Sequence, residues 1–334
     1  MTAAEARPIE VDSRAGRVSG ASTAERLGLM AMRAAASAAK PFDYAGFSLA
    51  ARLIAGVLPS ARAVRLRLAD DAVFEMPYGD AYWGVLMPFG AWYEDDVHSV
   101  MLALADTDYA FVDCGANYGY WSVLVSSRMF GAHAAAAVEA APDTFVWLSR
   151  NARANADRFA ALNRAVAARS GDTVAVYGGK HEARSIVGGN GAPSVGSVET
   201  LALDDLLSSP QLATAARIVL KLDVEGVEVA ALGGAGAMLA RDVLILYEDH
   251  GADRTHAISA HLMGEMGMTV FVAGPYGARR VADVAEVGRI KTNRRRGYNF
   301  FATRASFWLD AMEQVVSGAP AAEGAPSPRA ELVA

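Results

Sequence analysis

The chain has 334 residues, a formal charge of −6, one cysteine and a hydrophobic fraction of 53% in which Ala is prominent. That length can bury a sizeable core in one domain or in one domain plus an extension, and the acidic balance gives no general attraction to nucleic acid. A single cysteine excludes an intrachain disulfide, a Cys-rich zinc site and a three-cysteine iron–sulfur motif.

Residues 1–20 carry acids and arginines with no apolar stretch of the signal-peptide kind, so they read as a disordered segment of a cytoplasmic protein. No apolar run approaches the roughly 20 residues that a membrane span requires. Residues 21–100 read as a helical and β-hairpin extension. Helices over 22–58 break near Pro41, and Ser22-Thr23-Ala24-Glu25 has the form of a capping box at their start. These helices could form a homodimer contact. Alternation over 63–68, followed across Asp70-Asp71 by 72–76, predicts a hairpin. Tyr82, Trp83, Phe89, Trp92 and Tyr93 then crowd a short stretch. It suits a packed lid, or an aromatic wall for a sugar or polyketide. A helix over 94–104 leads into the main domain, taken as 101–316.

The chain is organised around Phe111-Val112-Asp113-Cys114-Gly115-Ala116-Asn117-Tyr118-Gly119-Tyr120. An apolar run ends in an acid and drops into a glycine-spaced loop, after which helical spacing returns, so the stretch reads strand, tight turn, helix. Gly115 and Gly119 permit a sharp turn and a close approach of backbone to a ligand. The spacing is not the Gly-x-Gly-x-x-Gly that seats a diphosphate, and an acid ahead of the turn repels phosphate. It suits a ligand that is cationic there, and S-adenosylmethionine has an ammonium, a sulfonium and no phosphate. Cys114 reads as a small buried hydrophobe.

A strand over 134–138 ends in Glu139, placed to accept hydrogen bonds from two ribose hydroxyls; a surface acid after a strand is the plainer alternative. Residues 144–158 read as a helix. The glycine-rich insertion between Gly178 and Val198, with Lys180, His181, Glu182, Arg184 and Ser185, reads as a mobile lid or a plain flexible loop.

The strand over 218–223 sets Lys221 and Asp223 on one face, with Glu225 just beyond. Charges on a strand covered on both faces are paired or used. They read either as an ion pair stiffening the sheet or as part of a site at the strand's carboxyl end. The strand over 243–247 ends in Glu248-Asp249-His250, which would place three ionisable groups beside Asp223 as a polar floor. His250 is the candidate general base, against a capping or core role. Asp223 and Asp249 together could hold Mg²⁺, lowering the pKa of a bound hydroxyl. No other histidine shows metal-ligand spacing. Residues 307–316 read as a helix, and the Pro-, Ala- and Gly-rich 317–334 as a disordered tail.

Three motifs occur in order: Val112-Asp113-Cys114-Gly115-Ala116-Asn117-Tyr118-Gly119, Glu199-Thr200-Leu201-Ala202-Leu203-Asp204-Asp205-Leu206 and Lys221-Leu222-Asp223-Val224-Glu225-Gly226-Val227-Glu228. Together, over about 93–303, they resemble the FkbM-type family of S-adenosylmethionine-dependent methyltransferases. The resemblance implies a class I, seven-stranded, mostly parallel α/β sheet whose last two strands, 269–273 and 298–303, close it as an antiparallel hairpin. It implies O-methylation of a small-molecule hydroxyl on a sugar or secondary metabolite. The cofactor set is then Asp113, Gly115, Ala116, Asn117, Gly119 and Glu139. Asn163 joins it at the family's third-strand end, where neighbours border the adenine. Asp223, Asp249 and His250 fall to chemistry, with Lys221, Glu225 and Glu248 ordering the floor. The Mg²⁺ arrangement would be similar to that of catechol O-methyltransferases. The alternatives are an NAD(P)-dependent oxidoreductase and a non-catalytic scaffold.

Overall fold

The computed structural model describes residues 7–188, 193–274 and 277–317. Ile9 and Val11 alternate with polar neighbours and are 0% and 2% exposed. They turn β1 (Ile9–Asp12) inward, where it pairs parallel with β3 (Ala63–Ala69) and antiparallel with β2 (Val18–Ser19). Residues 7–20 are thus held in part by a sheet, which corrects the expectation of disorder there; 1–6 lie outside the described residues, as do 318–334 of the expected tail. Between β2 and β3, α1 (Thr23–Ala39) opens on the capping box. Ser22 Oγ accepts from Glu25 N at 3.3 Å, and Glu25 Oε2 accepts from Ser22 N at 2.8 Å. Next comes α2 (Phe47–Val57), and β4 (Ala72–Pro77) completes the hairpin with β3 as the edge of this four-stranded sheet.

After α3 (Asp95–Ala103) the chain enters the main sheet through β5 (Ala110–Cys114). Then follow α4 (Tyr120–Val125), β6 (Ala135–Glu139), α5 (Pro142–Ala154) and β7 (Phe159–Asn163). A side excursion forms a small sheet from β8 (Ala165–Val166), β9 (Thr173–Tyr177) and β10 (Ser194–Leu201). The insertion therefore builds structure at both ends, with Val176 and Val198 packed over Ala141 and Ala165; residues 189–192 of it lie outside the described set. The main sheet resumes with β11 (Arg217–Leu222), β12 (Asp242–Glu248), β13 (Thr269–Gly274), β14 (Gly277–Val281) and β15 (Asn299–Thr303).

The order across this sheet is β14-β13-β15-β12-β11-β5-β6-β7, eight strands where seven are expected. β7, β6, β5, β11 and β12 run parallel, and β15 lies antiparallel between β12 and β13. The additional strand is β14, antiparallel to β13 at the edge; because it and the helix Val284–Ile290 intervene, β13 and β15 are sheet neighbours without being a direct hairpin. Both faces of the central strands are buried, as a parallel sheet requires: Val112, Val219, Leu220, Leu244 and Ile245 are all 0% exposed.

Two asparagines, Asn151 on α5 and Asn155 at its C-cap, clamp the N-terminal unit to this sheet. Asn151 accepts from Glu75 N at 2.5 Å and donates to Glu75 O at 3.0 Å, while Asn155 accepts from Val73 N at 3.0 Å and donates to Val73 O at 2.7 Å. Each amide continues the β4 ladder as another strand's backbone would. The clamp delivers the aromatic turn after β4 to the carboxyl ends of β5 and β11.

Candidate active site

The bend after β5 needs glycine for a reason internal to the fold. Gly115 has φ +76°, and a Cβ there would fall 1.8 Å from the carbonyl oxygen of Asp223 at the end of β11. Gly119 has φ +85°, and its Cβ would fall 2.6 Å from Leu148 Cδ1 on α5. The two glycines therefore draw β11 and α5 up against the loop.

Beside this bend lies an open cavity lined by Asp113, Glu139, Lys221, Asp223 and Glu225. Asp113 is 1% exposed; its Oδ2 accepts from Ser122 Oγ at 2.7 Å, while Oδ1 has no hydrogen-bond partner among the described residues. Burial raises its pKa, opposed by Lys221 and Ser122. Lys221 Nζ reaches Asp223 Oδ2 at 3.0 Å and lies 3.9 Å from Asp113 Oδ1. Burial works against the lysine's charge, but Asp223, Asp113 and Glu94 outweigh it and hold the ammonium above its ordinary pKa.

Glu139 ends β6 with a backbone donor on each oxygen: Ala141 N to Oε1 at 2.8 Å and Asn117 N to Oε2 at 2.9 Å. Burial lifts its pKa to about 7 against those bonds. Asn117 takes a left-handed φ of +51°; its Oδ1 accepts from Trp83 Nε1 at 3.0 Å and its Nδ2 donates to the His181 carbonyl at 3.0 Å. One loop residue thereby joins the aromatic turn to the arm that follows β9. His181 lies 4.7 Å from the Tyr118 ring in a stack and 3.3 Å from Asp80 Oδ2. Arg184 pairs with Asp143, and Ser185 Oγ donates to the Glu225 carbonyl at 2.7 Å. All three arm residues line the cavity, as do Tyr82, Trp83 and Tyr93, with the Tyr82 ring edge-to-face on His181 at 5.6 Å.

Not every expected residue arrives. Asp113, Gly115, Ala116, Asn117, Glu139, Lys221, Asp223 and Glu225 line the cavity; Gly119 and Asn163 do not. Asn163 ties down the end of β6, donating to the carbonyls of Glu139 at 2.8 Å and Ala140 at 3.1 Å, while Arg164, Ala165 and Val166 after it supply the wall. Asp249 faces away from the cavity. Its carboxylate is taken by Lys291 and by Ser259 Oγ at 2.6 Å, and Lys291 Nζ also donates to the Asp253 carbonyl at 2.7 Å. His250 is exposed, with Nδ1 accepting from Ala252 N at 3.1 Å. None of the three groups expected as a floor at the end of β12 lines the cavity, which corrects that expectation. Side chains alternate along a strand, and Glu248 alone turns toward Asp223. Burial first, then Asp223 and Glu94, hold the Glu248 carboxyl well above the carboxylate range. The Mg²⁺ pair falls for the same reason, and no group of three metal-ligating side chains occurs among the described residues.

Glu94 has no counterpart in the sequence-based set. It accepts from Trp121 Nε1 at 2.7 Å and Asn299 Nδ2 at 3.3 Å, and burial lifts it to about 7 with Lys221 opposing. Its own φ of +54° was a feature without any local sequence sign.

An acid-lined cavity at the carboxyl ends of β5, β6 and β11, beside a glycine bend, is the setting in which the comparisons fall. Residues 113–267 match the methyltransferase FkbM domain. The matched stretch is a little under half of the chain and runs from the end of β5 to just before β13. No curated protein matches the chain. Among solved structures it is similar to methyltransferase FkbM from Methylobacillus flagellatus KT, at 16% identity and a TM-score of 0.37 over 58% of this chain; it spans 43% of that protein's length. It is also similar to precorrin-6y C5,15-methyltransferase from Geobacter metallireducens GS-15, at 12% identity and TM-score 0.37, over 63% of this chain and 87% of that one. A third is P. horikoshii TYW2 in complex with MeSAdo, at 13% identity and TM-score 0.36, over 77% and 83%. The FkbM domain match takes in the charged lining residues named above, from Asp113 to Glu225.

Proposed function

We propose that the chain transfers a methyl group from S-adenosylmethionine to a hydroxyl of a small molecule, a sugar or a secondary metabolite. The observation that carries this reading is the open oxygen of Asp113, buried beside the cavity with no donor among the described residues. Leaving such an acceptor unpaired costs on the order of 1–3 kcal/mol, and a ligand ammonium is the donor that suits it. A diphosphate at the same bend would meet Asp113 and Glu139 as like charges, which counts against a dinucleotide.

When bound, S-adenosylmethionine supplies an electrophilic methyl on a positively charged sulfur. The chain's own residues do the rest. Asp113 holds the ammonium, and Glu139, fixed by two backbone donors, keeps a lone pair on each oxygen for the ribose hydroxyls. Lys221 fixes Asp223 in the cavity lining. Glu225 takes the acceptor's hydroxyl proton: it lines the cavity at its exposed rim, and partial desolvation, then the charges of Asp223 and Glu228, raise its pKa to about 7. A base poised there works at neutral pH. Tyr82, Trp83 and Tyr93 exclude water and offer flat apolar faces to the acceptor, and with carboxylates beside them they suit a polyhydroxylated ring.

Titration calorimetry with S-adenosylmethionine, S-adenosylhomocysteine and NAD⁺ tests the cofactor. The first two bind and the third does not; tight dinucleotide binding with indifference to both sulfur ligands sinks the reading. Transfer of labelled methyl to panels of sugars and polyketides then tests the acceptor, and labelling confined to amines or carbon would exclude O-methylation.

A further inference from the structure

Six of the eleven exposed large apolar side chains among the described residues fall between positions 27 and 57: Leu27, Met30, Phe42, Leu49, Leu53 and Val57, each at least 55% exposed. On α2 the last three recur at intervals of four, forming one stripe opposite the buried Phe47 and Ala51. A surface helix ordinarily carries polar side chains on that side. Here α2 has a single charged residue, Arg52, at its midpoint and on the flank of the stripe. Of the four cations between positions 26 and 57, Arg33 is turned inward to the carbonyls of Met87 and Gly16, which leaves Arg26, Lys40 and Arg52 exposed with one acid, Asp43, in a chain whose net charge is −6.

We propose that the outer face of the α1–α2 hairpin docks on an anionic lipid bilayer, its apolar stripe entering the headgroup layer and its cations meeting lipid phosphates. An amphipathic helix lies in the interface in this way without crossing it, and no helix among the described residues is long and apolar enough to cross. Charge decides between a bilayer and a second copy of the chain. A two-fold pairing of this face with itself would set two surfaces of the same sign together, with no acid on α2 to accept the arginine of either. At a bilayer the same arginine snorkels to the phosphates while its stem covers apolar surface.

The docked face is close to the cavity. A Cβ on Gly79 would fall 2.5 Å from Ala55 Cβ, and one on Gly84 2.8 Å from Phe47 Cζ, so α2 lies directly against the turn that carries Tyr82 and Trp83. A bilayer at α2 stands one helix behind the aromatic wall.

The test is co-sedimentation of the full chain with vesicles of phosphatidylcholine alone or mixed with phosphatidylglycerol, at low and high salt. The expected result is binding only to the mixed vesicles, weakened by salt. Arg52→Ala should lower affinity about fivefold, and the Leu49→Glu, Leu53→Glu pair at least tenfold. The thermal midpoint should stay unchanged, since both leucines are exposed. Val146→Glu, at a 54% exposed apolar position on α5, should bind as the parent does. No binding, equal binding to neutral vesicles, or equal loss in Val146→Glu overturns the proposal. A dimer in sedimentation equilibrium that Leu53→Glu dissociates also overturns it, assigning the face to a second copy.

Discussion

Two buried lysines sit among carboxylates at neighbouring strand ends, and they differ in what each cluster leaves unfilled. Lys291 is 0% exposed and gives its three protons to Asp249, the Asp253 carbonyl and His256 Nδ1, while Asp249 also accepts from Ser259. Nothing in that cluster asks for another partner. Lys221 bonds Asp223 and lies 3.9 Å from an Asp113 oxygen that has no hydrogen bond among the described residues, with a cavity beside both. Composition does not separate the two clusters; residual bonding capacity does. A closed ion pair holds strands in place, and an open one receives a ligand.

The largest effect that would sharpen this contrast is expected at the closed cluster. Lys291→Met strands Asp249 and should cost about 3–5 kcal/mol of stability, read by denaturant unfolding, with cofactor affinity of the folded protein unchanged. A loss of affinity at constant stability would put Asp249 back into the site. Glu225→Gln should lower kcat on the order of a hundredfold, the usual size of a general-base effect. In the parent chain kcat/KM should rise with pH through about 7, because the base must lose its proton, and Glu225→Gln should flatten that limb. Asp113→Asn removes one charge-assisted bond and should weaken S-adenosylmethionine binding by about 2 kcal/mol, some thirtyfold, measured by calorimetry. His250→Ala, at an exposed side chain, should change stability and turnover by less than about 0.5 kcal/mol. A large fall in turnover there would return His250 to the chemistry.

What the sequence carried well was local. The strand, bend and helix around Asp113 and the Lys221-x-Asp223 pairing follow from periodicity and glycine placement within a dozen residues. The end of β12 was misread although its correction was available: a period of two cannot put Glu248 and Asp249 on one side. The β1 strand was missed because two inward side chains, Ile9 and Val11, have meaning only once β3, more than fifty residues later, lies beside them. Glu94 reaches Asn299 across 205 positions, and no pattern along the chain foretells that meeting.

The amides of Asn151 and Asn155 do more than fasten two units. β4 is the outermost strand of its sheet, and an open strand edge is a template on which other polypeptides polymerise. By occupying the main-chain groups of Val73 and Glu75, the asparagines shut that template whatever side chains β4 displays. A truncation that begins at the glycine bend would leave Asn151, 0% exposed in the intact chain, without its two β4 partners, and aggregation during expression would be its symptom.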